Sequence, residues 1–205
     1  EMAGLQEGDT IFFIAAPEKA ACIYAGQIRN ELGSRLDLLE KDAYRFCYIN
    51  DFPMYEIDEE TGKLGFTHNP FSMPQGGLEA LNEKDPLDIL AYQYDIVCNG
   101  VELSSGAVRN HDMEIMEKAF DIAGYDKETL KDKFGALYNA FQFGAPPHAG
   151  MAPGVDRMIM LLRNEENIRE IIAFPMSGTA QDLMCGAPNE ITEQQLREVH
   201  IKVRD

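Results

Sequence analysis

Positive charge is scarce in this 205-residue chain: 18 lysines and arginines stand against 35 aspartates and glutamates, a formal net charge of −17. A polyanion does not bind broadly to such a chain by charge alone, so if nucleic acid is a partner most of the basic surface lies elsewhere. Cysteine spacing of the metal-binding kind is also lacking. Cys22, Cys47, Cys98 and Cys185 show no C-x-x-C pattern. No metal knot is indicated, and lone thiols suit a reducing cytosol, so a cytoplasmic location is expected. The apolar runs, such as residues 11–16, are far too short to span a membrane. The opening Glu1-Met2-Ala3-Gly4 has no basic n-region, so no signal peptide is expected, and a start of this interior kind leads us to expect a piece of a longer protein. There is no internal repeat and no low-complexity tract. What is present is 45% hydrophobic residues, enough to bury the core of one domain, or of one plus part of another.

The chain is organised around residues 144–163, GAPPHAGMAPGVDRMIMLLR. Pro146 and Pro147 end whatever precedes them, since each fixes its φ and lacks an N–H. A run of small residues gives way at Gly154 to Val155-Asp156-Arg157 and an apolar block over 158–162. The pattern predicts a short strand turning through glycine into a helix buried on most sides. Such a junction aims backbone N–H groups and a helix N-terminus at one spot, where anions bind. Arg157 in the first turn does nothing for the helix dipole. A planar guanidinium beside a phosphate site accounts for it, and so does a surface position on a buried helix.

Elsewhere, Gly8-Asp9 signals a turn and residues 11–15 a strand, followed by a helix opened by Pro17 and closed by Gly33. A strand is predicted over residues 45–57, a polar turn over 58–62 and a return over 64–67. Residues 67–77 hold two prolines and two glycines and read as a loop. His68 in that loop can bond an anionic or amine group of a ligand, although a loop histidine is also ordinary surface. Helices are predicted over 112–123 and 127–141, the second with Leu130, Phe134, Leu137, Tyr138 and Phe141 on one stripe. Residues 167–174 read as a helical turn and a strand, and Thr192-Glu193-Gln194-Gln195 as a capping box, with Ile191 and Leu196 placed for a hydrophobic staple.

Asn99-Gly100 is the strongest hairpin signal in the chain. A two-residue loop there predicts the pairs Cys98–Val101, Val97–Glu102, Ile96–Leu103 and Asp95–Ser104. Ile96, Cys98, Val101 and Leu103 then share an apolar face, and Asp95, Val97, Glu102 and Ser104 the other. Asp95 and Glu102 become diagonal neighbours whose like charges repel. A Mg²⁺ ion held with ATP phosphates would compensate them, because Mg²⁺ takes one or two carboxylates plus phosphate oxygens. A solvated outer face is the other reading.

Gly154-Val155-Asp156-Arg157, with Pro147-His148-Ala149-Gly150 before it, resembles motif 3 of the class II aminoacyl-tRNA synthetases. The flanking residues resemble the aspartyl enzymes of bacterial type, over essentially the whole chain. His68-Asn69-Pro70-Phe71 resembles the family's His-His-Pro-Phe loop over the amino acid, with Asn69 in place of the second histidine, so that His68 alone carries the role. Glu102 to Arg109, ELSSGAVR, resembles the strand that supplies an ATP/Mg²⁺ carboxylate and the arginine that grips the substrate side chain. The resemblance implies ATP binding by Gly154, Val155, Asp156 and Arg157, with Arg157 on the polyphosphate. It implies Mg²⁺ binding by Glu102, with Asp95 beside it, and aspartate binding by His68 and Arg109. A spacing of seven puts Glu102 and Arg109 on opposite faces of an unbroken strand, so a bulge at Ser105-Gly106 is expected.

By the same resemblance, residues 1–42 match the tail of an insertion domain and 43–205 the C-terminal half of the catalytic domain. The fold expected is α/β (α+β), a mainly antiparallel sheet with helices covering one face. The function implied is ATP-dependent charging of tRNA with aspartate by an enzyme that is a homodimer at full length. No anticodon-binding barrel, motif 1 helix or motif 2 strand pair is visible, so the isolated chain is expected to be inactive and to leave most tRNA contacts to other parts. An asparaginyl or lysyl enzyme is the nearest alternative, with Arg109 arguing against lysine; a non-catalytic paralogue or interaction module is the other.

Overall fold

A computed structural model describes residues 4–204. The chain forms two compact units, one running to Tyr44 and one starting at Arg45.

In the first unit, α1 (Glu18–Arg35) starts behind Pro17, whose fixed φ suits a helix start. It passes through Gly33 instead of ending there, and the left-handed turn that follows falls on Asp37. Residues 11–15 are not a strand, contrary to expectation. They have no neighbouring strand to bond with among the described residues, and Phe13 is 86% exposed. A strand needs a ladder, and β-forming composition does not supply one.

The second unit is built on a four-stranded antiparallel sheet, order β1 (Phe46–Pro53), β4 (Leu90–Cys98), β5 (Val101–Val108), β6 (Ala149–Pro153), beside a two-stranded sheet of β2 (Tyr55–Ile57) and β3 (Leu64–Phe66). The single strand expected over 45–57 is therefore two. It bulges at Asp51 (φ 59°), and at Met54 the chain changes partners, Met54 N–H bonding Ile89 while β2 pairs with β3.

Asn99 and Gly100 join β4 to β5 with φ of 50° and 82°, the two positive values a type I′ turn requires. Cys98 pairs with Val101 and Val97 with Glu102, as expected. Beyond that the register shifts: Ile96 pairs with Ser104 and Asp95 with Ser105, leaving Leu103 as the extra residue of a bulge. The Leu103 carbonyl accepts the Gly154 N–H at 2.7 Å, so the bulge is tied to the start of α5 (Val155–Leu162). Ser104 thus changes face and is buried, and Ser105 takes its expected place beside Asp95.

Gly106 lies in unbulged strand. A Cβ there would sit 2.5 Å from the Gly150 carbonyl and 2.5 Å from the Tyr94 ring. The glycine is needed for close approach: the Tyr94 ring crosses it and its hydroxyl donates to the Gly150 carbonyl at 3.1 Å.

At the far end of the hairpin a loop is wedged into the sheet. Met73 N–H bonds Val108, Tyr92 N–H bonds Met73, Gln75 N–H bonds Leu90 and Asn110 N–H bonds Phe71. Ser72 thereby faces Arg109 and Pro74 faces Ala91. The core gathers beside this junction. Met54, Tyr55, Leu81, Ile89, Ala91 and Ala119 form one cluster, and Met116, Phe120, Leu130 and Tyr138 another. The side chains come from β2, β4, α2 (Gly77–Glu83), α3 (Met113–Ile122) and α4 (Lys127–Phe141), with Met54 and Ile89 from just outside the strands; Leu130 and Tyr138 belong to the stripe predicted for α4. Burial pushes the Tyr55 hydroxyl far above the ordinary tyrosine range, and it donates to the Ala119 carbonyl. Burial also tends to raise the Glu117 carboxyl, but hydrogen bonds from Lys127 and Tyr138 outweigh it and leave Glu117 below its usual value, tying α3 to α4.

Two further expectations fail. α5 packs on β5 and on the helical turn Ile168–Glu170 but buries only Met160, and Leu162 is 68% exposed. Residues 171–174 are not a strand, since the amides of Ile171 and Ile172 stay in a helical turn and bond Ile168. The capping box does form: Thr192 caps Gln195 and Gln195 answers, opening α6 (Glu193–Glu198) with Leu196 buried.

Candidate active site

The bulge at Leu103 decides the site. It reverses the alternation of β5 once, so Glu102, before it, and Ser105 and Arg109, after it, point to the same side as Gln93 and Asp95 of β4. The expected break is real but stands at Leu103, not at Ser105-Gly106. These side chains, with Phe52, His68, Asn69, Gly106 and Ala152, line an open cavity of about 460 Å³.

Arg109 is held by its backbone on three sides. Its N–H bonds the His148 carbonyl, its carbonyl accepts from His111 Nδ1 at 3.3 Å, and Ser72 pairs opposite it. Its guanidinium has no ion-pair or hydrogen-bond partner among the described residues, which leaves the fork facing the cavity. His68 stands edge-on to the Phe52 ring, centroids 5.3 Å apart. Asn69 holds the loop: its side chain accepts the Phe71 N–H at 2.9 Å and its carbonyl the Ser72 N–H at 3.2 Å.

Asp95 and Glu102 come together as the hairpin predicted. Burial first, then the Glu102 charge, push the Asp95 carboxyl above its ordinary value, and His68 pulls against them. Among the described residues no group of three or more histidine, cysteine, aspartate or glutamate side chains could hold a metal by itself. A strained pair of carboxylates suits Mg²⁺ bound together with phosphate oxygens, and does not suit a metal held by protein alone.

A second depression, about 290 Å³, lies at the start of α5 and shares Glu102, Ser105 and Ala152 with the first. Gly154, Asp156 and Arg157 line it; Val155 lines neither cavity and is exposed. Arg157 Nη1 donates to the Glu102 carbonyl at 2.6 Å and lies 3.5 Å from its carboxylate. Glu102, which lines both spaces, is thus tied to Arg157, which lines the second. A Cβ at Gly154 would meet Leu103 and Arg157 atoms at 3.4–3.8 Å, which is ordinary contact. Gln93, only 7% exposed, also lines the cavity, although no sequence motif marks it. Strand alternation counted back two residues from Asp95 would have found it.

The antiparallel sheet, the glycine-to-helix junction and the arginine-bearing bulged strand are those of a class II synthetase core. A family model for the class II tRNA synthetases (D, K and N) matches residues 13–178, and the chain belongs to that family. The chain is 60% identical over 200 residues to the aspartate–tRNA(Asp/Asn) ligase of Zymomonas mobilis, and 60% identical over 200 residues to the aspartate–tRNA ligase of Streptomyces avermitilis. Each match covers 98% of this chain and 34% of the relative, so the chain spans about a third of their length. An aspartyl-tRNA synthetase structure from Entamoeba histolytica shares the fold, with a TM-score of 0.50 at 24% identity over 85% of this chain and 29% of that one.

Proposed function

We propose that this chain is the amino-acid-binding and part of the ATP-binding portion of an aspartate–tRNA ligase. The observation that carries the reading is the unpaired Arg109 guanidinium, fixed by its backbone in a cavity that Asp95 and Glu102 also line. Its fork takes the side-chain carboxylate of aspartate through two parallel hydrogen bonds, with His68 above the same amino acid. Arg157, with Gly154 and Asp156, receives the ATP phosphates in the adjoining depression; Val155 serves as the first residue of the helix and not as a contact. Glu102 stands between the two and holds Mg²⁺ with Asp95. When bound, the ion offsets charge building on the phosphates.

The chemistry is positional. The α-carboxylate of aspartate attacks the α-phosphorus of ATP and pyrophosphate leaves; the terminal hydroxyl of the tRNA then takes the aspartyl group and AMP leaves. Fixed cations and orientation supply such catalysis without an acid–base residue. The division at Tyr44 supports reading residues 1–42 as the tail of an insertion domain and 43–205 as the C-terminal half of the catalytic domain. The whole enzyme is read as a cytoplasmic homodimer that binds most of its tRNA outside this chain. No described helix is long and apolar enough to cross a membrane.

The test is substrate choice in an enzyme of the relatives' full length. Asparagine offers Arg109 one acceptor and one NH₂ group, leaving an arginine donor unpaired. Arg109→Leu is expected to lower kcat/KM for aspartate in pyrophosphate exchange by on the order of 10⁴ and to shrink the preference over asparagine. ATP affinity should hold. A variant that still prefers aspartate as strongly as its parent refutes the assignment.

A further inference from the structure

Gln93 is buried to within 7% of full cover, yet it is polar and lines the cavity. A buried primary amide needs partners. Its Nε2 lies 3.4 Å from the Asn69 carbonyl, a long hydrogen bond and the one protein partner of that amide among the described residues. The same carbonyl accepts the Ser72 N–H, and the Asn69 side chain accepts the Phe71 N–H. Asn69 is therefore a hub, and Gln93 is its tie to the sheet.

The position of that tie matters. Gln93 pairs with Ala107, two residues before Arg109, and lies two residues before Asp95 on the same face. Its strand also carries Tyr92, whose N–H bonds Met73 farther along the loop. The loop is fixed on its far side by backbone bonds at Met73 and Gln75 and on its near side by the Thr67 N–H, which bonds the Met54 carbonyl; between Thr67 and Phe71, whose carbonyl accepts the Asn110 N–H, the stretch that carries His68 is tied to the sheet through Asn69. His68 itself is placed by a ring contact with Phe52, which sets no depth along the cavity.

We propose that Gln93 is a positioning residue for the amino-acid site: through the Asn69 carbonyl it fixes how close the His68 loop stands to Arg109. The proposal rests on the reading of the cavity as the aspartate site.

The test uses Gln93→Met in the 205-residue chain, which keeps length and apolar bulk and removes the donor. Amide hydrogen exchange reports the loop without any ligand. Phe71 and Ser72, whose amides bond Asn69, should exchange roughly tenfold faster, in keeping with loss of one hydrogen bond. The amides of the β4–β5 ladder should keep their protection. Unchanged exchange at Phe71 and Ser72 overturns the proposal, and so does an equal rise in the ladder, which would make Gln93 ordinary core packing.

Titration with aspartate, followed by NMR, adds the functional arm. Gln93→Met should weaken binding roughly tenfold in the parent chain and cause no further loss in a His68→Ala background. Equal losses in both backgrounds overturn action through the loop. If the parent chain takes up no aspartate, the reading of the cavity fails, while the exchange comparison still decides whether Gln93 holds the loop.

Discussion

Gly106 shows how much one residue can hold. Two contacts at 2.5 Å await any side chain there, and they differ in kind. The Tyr94 ring can swing away, whereas the Gly150 carbonyl belongs to the ladder that carries β6 and, one residue after its end, Gly154. Gly106→Ala should therefore force β5 and β6 apart and cost about 1–3 kcal/mol, the range for overpacking a filled site. Urea denaturation measures it. Adding Tyr94→Ala should not restore stability, because the backbone clash remains; a double variant as stable as Tyr94→Ala alone would show that the ring was the whole obstacle. Asn69 is the contrasting case at this scale. Its side chain serves the loop's own backbone, so the residue in place of the family's second histidine is explained by local hydrogen bonding.

At the scale of elements, the helices are set by their first residues. Asp112, Asp126 and Thr192 each accept the N–H groups that a helix start leaves open. The Asp126 carboxyl lies below the ordinary aspartate value of 3.8 because of its hydrogen bonds with Thr129, backbone first. A carboxyl depressed on folding contributes stability that is complete above its unfolded value and is lost as pH falls through the lower folded value. Acid should thus loosen the start of α4 as pH drops below 3.8. Asp126→Asn keeps a capping oxygen that does not titrate. It should match the parent near neutral pH and lose less stability on acidification, as followed by thermal unfolding at a series of pH values. An identical acid profile would mean the cap does not contribute. The bulge at Leu103 is the other device at this scale, since one extra residue puts Glu102 and Arg109 on one side of a strand.

In the catalytic unit, the two depressions share a wall of Glu102, Ser105 and Ala152, and the cations facing them are few. Arg109 serves the first and Arg157 the second. Adenylate formation needs a cation at the α-phosphate as well, and the sequence offers no motif 2 arginine for it. The purified 205-residue chain should accordingly show no useful aspartate-dependent pyrophosphate exchange, although an enzyme of the relatives' length should. Robust exchange by this chain alone would mean that the remaining two-thirds of the relatives' length is dispensable for activation. The net charge of −17 points the same way for tRNA, whose phosphates find little to hold here.

The sequence by itself determined what is local. The Asn99-Gly100 turn, the caps of α3 and α4, the capping box at Thr192 and the glycine-to-helix junction at Gly154 each depend on a few adjacent residues and their backbone preferences. The hairpin alone put Asp95 beside Glu102, and the motifs named Arg109 and His68. Only the tertiary structure decided what depends on partners distant in the chain. Residues 11–15 and 171–174 have strand-like composition and no strand to bond among the described residues. The strand expected over 45–57 divides at Met54, whose N–H still bonds Ile89 while its carbonyl already accepts the Thr67 N–H. The bulge sits at Leu103, where Gly154 bonds the freed carbonyl, and Gly106 answers to Tyr94 and Gly150. Gln93 becomes part of the site because a loop some twenty residues earlier comes to rest on it. Pairing and close packing are set by the neighbour across the gap, and a neighbour distant in the chain leaves no periodic signal in the residues themselves.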